Sequence, residues 1–88
     1  MFRAHRGPLE LVLFLPREQR RARFAIAETV DGWCLASETG TADDGTSRRL
    51  VAPEIERLID ELDRVVRAML ASGYTIEQLR LADPTPAA

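Results

Sequence analysis

Between positions 55 and 70 the apolar residues fall at Ile55, Leu58, Ile59, Leu62, Val65, Val66, Met69 and Leu70. Steps of three and four draw one continuous stripe down an α-helix. A stripe of that length has to be covered, so the rest of the chain must supply an apolar surface to match it. Pro53 opens the segment where a missing N–H costs nothing, and Glu54 and Glu56 suit the positive end of the helix dipole. Gly73 reads as the residue that ends the helix in the left-handed conformation. The spacing predicts a helix over 53–72, about 30 Å long at ~1.5 Å per residue. The same positions approximate heptads, but the stripe is needed to cover a sheet.

That sheet is legible upstream. Leu9, Leu11, Leu13 and Leu15 share one face of a strand at period two, while Val12 and Phe14 make the other face apolar as well. A strand of this kind is central or covered on both sides. Pro16 ends it. Phe24–Val30 and Trp33–Ser37 flank Asp31-Gly32, a strong hairpin signal. A two-residue turn at Asp31-Gly32 pairs Val30 with Trp33, Glu28 with Leu35, Ile26 with Ser37 and Phe24 with Thr39. The core face then carries Phe24, Ile26, Val30, Trp33 and Leu35, and the opposite face, with Thr29, Cys34, Ala27, Ala36, Ala25 and Glu38, is flat and made mainly of small residues. Residues 39–47 read as a loop and Arg48–Ala52 as a short fourth strand. Thr75-Ile-Glu-Gln78 matches a capping box and predicts a short helix over 75–82, with Tyr74, Ile76, Leu79 and Leu81 packed on the first helix.

The expected fold is α+β: a three- to four-stranded antiparallel β-meander against one long α-helix, plus a short C-terminal helix. Residues 1–8 are expected to form a flexible N-terminal arm, 9–82 a single α+β domain, and 83–88 a disordered tail.

Function classes narrow by exclusion. A chain of 88 residues buries roughly 60–65% of its unfolded surface, which leaves little room for a deep enclosed active site. The single cysteine, Cys34, and the single histidine, His5, are far apart and make no metal set or nucleophile pair. No G-x-S-x-G, phosphate-binding loop or dinucleotide fingerprint is present. Asp43-Asp44 lacks the spacing of a calcium loop, and Glu56, Asp60 and Asp63 read as one outer, solvated helix face. No catalytic residue, metal or cofactor is assigned, no small-molecule substrate is inferred, and the expectation is not an enzyme. The longest apolar run, Leu11–Leu15, is far short of a membrane span, and no secretory signal pattern is visible. The expected location is cytoplasmic, without a membrane partner. Every basic residue is Arg, with no Lys and no Asn, which points to a GC-rich genome of a bacterium or its phage.

Three places remain for an interaction. Residues 1–24 carry six Arg against Glu10 and Glu18, whereas 25–63 carry ten acids against three Arg. Such polarity suits a charged partner or self-association. Arg17, Arg20, Arg21 and Arg23 form the candidate contact for nucleic acid or an acidic partner. Val12, Phe14, Ala25, Ala27, Cys34 and Ala36 form the candidate protein interface, because one helix covers only one sheet face. Glu28, which interrupts the apolar hairpin face, is the candidate polar site. The leading reading is a non-enzymatic protein–protein interaction module, a homodimeric accessory protein of the inhibitor, immunity or antitoxin kind. The alternative is a small nucleic-acid-binding regulator using Arg17–Arg23.

Overall fold

In the computed structural model, which describes residues 2, 5–40 and 45–82, the chain runs β1 (Leu9–Leu15), a 3-10 turn (Pro16–Glu18), β2 (Arg20–Thr29), β3 (Gly32–Gly40), β4 (Gly45–Ala52), α1 (Ile55–Ala71) and β5 (Thr75–Leu81). The strands form one antiparallel sheet in the order β4-β3-β2-β1-β5. The fold is thus α+β, with one long helix on one face of a five-stranded sheet.

The helical stripe and the leucines of β1 build the core together. Leu58, Ile59, Leu62 and Val66 are buried against Leu9, Leu11, Leu13, Ala22, Phe24, Ile26 and Leu35, with Trp33 packed partly buried at the margin. Burial of each large side chain contributes about 1.5–3 kcal/mol. Phe2 joins this cluster, and the His5 N–H donates to the Phe2 carbonyl at 3.0 Å. Arg6 pairs with Glu56 at 3.2 Å on the helix side. Asp43-Asp44 and residues 83–88 lie outside the described residues.

The C-terminal segment corrects the sequence reading. Residues 75–81 form a strand, not a short helix. Gly73, at φ +107, ends α1, and the Tyr74 N–H donates to the Met69 carbonyl while the Gly73 N–H donates to that of Leu70. This Schellman arrangement stops the helix and reverses the chain beside the free edge of β1. That edge offers a full row of backbone groups, whereas an isolated helix of one or two turns offers little. The Thr75 hydroxyl donates to the Phe14 carbonyl at 3.3 Å instead of capping a helix. Val12 pairs with Gln78 but Leu13 with Ile76, so Glu77 is the extra residue of a bulge. The bulge hides the period-two alternation that Leu79 and Leu81 keep.

The hairpin register also differs. Thr29 pairs with Gly32, Glu28 with Trp33, Ile26 with Leu35 and Phe24 with Ser37, so the turn residues are Val30-Asp31. Val30 is fully exposed at the tip rather than in the core. Gly32 is taken up by the strand: at φ +148, its missing Cβ leaves space for the Ala52 carbonyl and Pro53 Cα, which a Cβ would meet at 2.6 and 2.7 Å. The slip is two residues, so every side chain keeps its face. Residues 39–40 and 45–47, read as loop, extend β3 and β4.

Candidate interaction surface

Nothing among the described residues lies over the sheet face opposite α1. Ladder register fixes its content row by row. Glu10, Ala25, Ala36 and Arg49 stand side by side across β1, β2, β3 and β4. The next row is Val12, Arg23, Glu38 and Ser47, and the third is Phe14, Arg21, Gly40 and Gly45. On the other side of the first row come Ala27, Cys34 and Val51. All six residues expected at a protein interface share this face.

Their exposure is uneven. Phe14, Ala25, Cys34 and Ala36 are half-buried and Ala27 is exposed. Val12 is only 7% exposed, which corrects the expectation that it is open to solvent. Its ladder neighbours are Arg23 and Gln78, whose long side chains shield it from both sides. A shallow depression of about 250 Å³ lies over Val12, Ala25 and Ala36, bounded by Glu10, Arg23, Glu38 and Gln78. A broader hollow of about 700 Å³ adjoins it where Gly40 and Gly45 present no side chains, beside Arg21 and Arg23.

The basic stretch does not act as one patch. Period-two alternation sends Arg21 and Arg23 to the open face and Arg20 to the helix side, opposite Leu15. Arg17 lies in the 3-10 turn, 4.0 Å from Glu18, and Arg20 is 3.8 Å from the same carboxylate. Arg21 donates to both oxygens of Glu77 at 2.9 and 3.1 Å, and its guanidinium lies 4.6 Å from the centre of the Phe14 ring. The hydrogen bond from Arg21 holds the Glu77 carboxyl below its ordinary value and raises the guanidinium in turn.

Glu28 is exposed at the sheet margin beside the hairpin tip. Asp63 departs from the solvated face expected of it: it is 8% exposed, on the flank of the stripe, with Arg67 2.9 Å away one turn on. Both outer strands also expose apolar side chains, Leu50 and Val51 on β4 and Ile76, Leu79 and Leu81 on β5. Sequence reasoning placed Glu38 on this face with Ala25, Ala27, Cys34 and Ala36, but missed Glu10, Arg49, Val51 and Glu77. Alternation alone could have placed Glu10, Arg49 and Val51, which lie within the expected strands; Glu77 required the bulge.

No group of His, Cys, Asp and Glu among the described residues is arranged to hold a metal ion, and no described helix is long and apolar enough to cross a membrane. Comparison with protein-family models, curated proteins and solved structures finds no match to this chain.

Proposed function

We propose that the chain is a non-enzymatic interaction module that binds another protein through the uncovered face of its sheet. One observation carries the reading: a five-stranded sheet is covered by α1 on one side only, and the bare side has Ala25, Cys34 and Ala36 at its centre with charges around them. An apolar centre inside a charged rim is the anatomy of a protein contact. The shallow form of the depression suits a flat partner surface better than an enclosed small molecule.

The nucleic-acid reading draws less support. A phosphate track needs unneutralised cations along one surface, whereas Arg20 and Arg21 stand on opposite sides of the sheet and Arg21 is held by Glu77. Three carboxylates, Glu10, Glu38 and Glu77, share the open face with its Arg residues.

The test is a comparison of wild type with Ala25→Arg, a substitution that leaves the helix-side core alone. Affinity capture from the source cell extract, with folding checked by circular dichroism, should show a binder retained by wild type and lost by the variant. Identical captured proteins for both would remove the open face as the contact surface.

A further inference from the structure

The open face carries a pattern that fits its own copy. Turn one sheet over onto another about an axis that lies in the interface and runs along the strands between β2 and β3. The operation places β1 over β4 and β2 over β3. In the first row Glu10 meets Arg49 of the second copy and Ala25 meets Ala36; in the next, Arg23 meets Glu38. No like charges are opposed in these four strands, and the twofold repeats each opposite-charge pair. Size is complementary too. Phe14 falls over Gly45 and Arg21 over Gly40, where the hollow of about 700 Å³ lies. Among the described residues, Glu10, Arg23, Glu38 and Arg49 form no ion pair within the chain, although Arg6, Arg17, Arg20, Arg21, Arg64 and Arg67 do.

We propose that the partner of the open face is a second copy of this chain, packed sheet on sheet as a twofold dimer with Arg23 against Glu38 and Glu10 against Arg49. The proposal rests on the open face being a contact surface. Sheets packed in this way cross at about 30°, which keeps the central rows opposed and lets long side chains bridge the outer ones. Four strands at ~4.8 Å spacing and about eight residues at ~3.4 Å rise give about 500 Å² per copy, or about 1,000 Å² in total, the least a specific interface needs. The self-matching charges supply the specificity that a small-residue face lacks.

The experiment uses two charge reversals. In Arg23→Glu, positions 23 and 38 are both acidic; in Glu38→Arg, both are basic. Each variant alone opposes like charges across the twofold, twice over. Sedimentation equilibrium should show a wild-type dimer and at least ~10-fold weaker self-association for each variant. Mixing the two variants should restore the dimer, since the two acids of one chain then face the two bases of the other. The like-charge neighbours within each chain are unchanged by mixing, so recovery isolates the contact between chains. A wild type that stays monomeric at all concentrations overturns the dimer, while a binder lost on Ala25→Arg still stands for the face. Variants that remain dimeric, or a mixture that fails to recover, overturn this arrangement. Isotope-filtered NOEs in a half-labelled wild-type sample need no variant: Ala25 and Ala36 methyl contacts between chains are expected, and contacts confined to another surface refute the packing.

Discussion

Arg21 on β2 reaches over the Phe14 ring of β1 to hold Glu77 of β5, donating to both carboxylate oxygens at 2.9 and 3.1 Å. One side chain therefore bridges three strands and fixes the bulged residue of the last. A two-point contact of this geometry orders the partner more than a single exposed ion pair does.

A pH dependence follows from the bridge. The Glu77 carboxyl is held down chiefly by the hydrogen bond from Arg21; desolvation opposes this, and the charges of Arg21 and then Arg23 add lesser lowering effects. A group whose folded value is lowered contributes stability that is complete above its unfolded value and is lost as the pH falls through the folded one. Acidification through the carboxylate range should speed amide exchange in β5 before the other strands. In Arg21→Gln, the Glu77 titration followed by NMR should move up to the ordinary range. A Glu77 titration indifferent to this substitution would contradict the bridge.

Gly32 should tolerate no side chain. Its φ of +148 and the 2.6 Å approach of the Ala52 carbonyl oppose any Cβ. Gly32→Ala is expected to cost about 1–3 kcal/mol in urea unfolding. Since the obstacle is backbone, neighbouring rotamers cannot relieve it.

The core and the sheet margin should respond differently. Leu62→Ala removes a fully buried side chain facing the sheet and should cost about 2–5 kcal/mol. Glu28→Ala, at an exposed position, should change stability by no more than about 0.5 kcal/mol. A large loss at Glu28 would mean that its carboxylate has a structural partner.

Duplex DNA should show no gel shift at low salt. Arg17 and Arg20 share Glu18, and Arg21 is occupied by Glu77, so few counterions would be released on binding. A shift that weakens steeply with salt and disappears on Arg23→Gln would favour the nucleic-acid reading over the protein interface.

The helix and the sidedness of the central strands were readable because both are local. Ile55 to Leu70 carry a 3.6-residue period, and Leu9 to Leu15 and Phe24 to Leu35 a period of two, whatever else the chain does. Even the misplaced hairpin turn left every face correct, because the slip was two residues. The open face was equally visible as Val12, Phe14, Ala25, Ala27, Cys34 and Ala36, although the shielding of Val12 by Arg23 and Gln78 was not.

Other features depended on which distant segments meet. Thr75–Gln78 satisfies a helix cap locally, yet the unpaired edge of β1 draws it into a strand, because a row of backbone hydrogen bonds outweighs a short helix with few contacts. Glu10 and Arg49 are far apart in the chain and stand in one row. Composition and periodicity determined the helix, the existence of the first four strands and their faces; tertiary pairing decided that 75–81 is a strand and which charges stand side by side in one row, since register is set between residues that no local window contains.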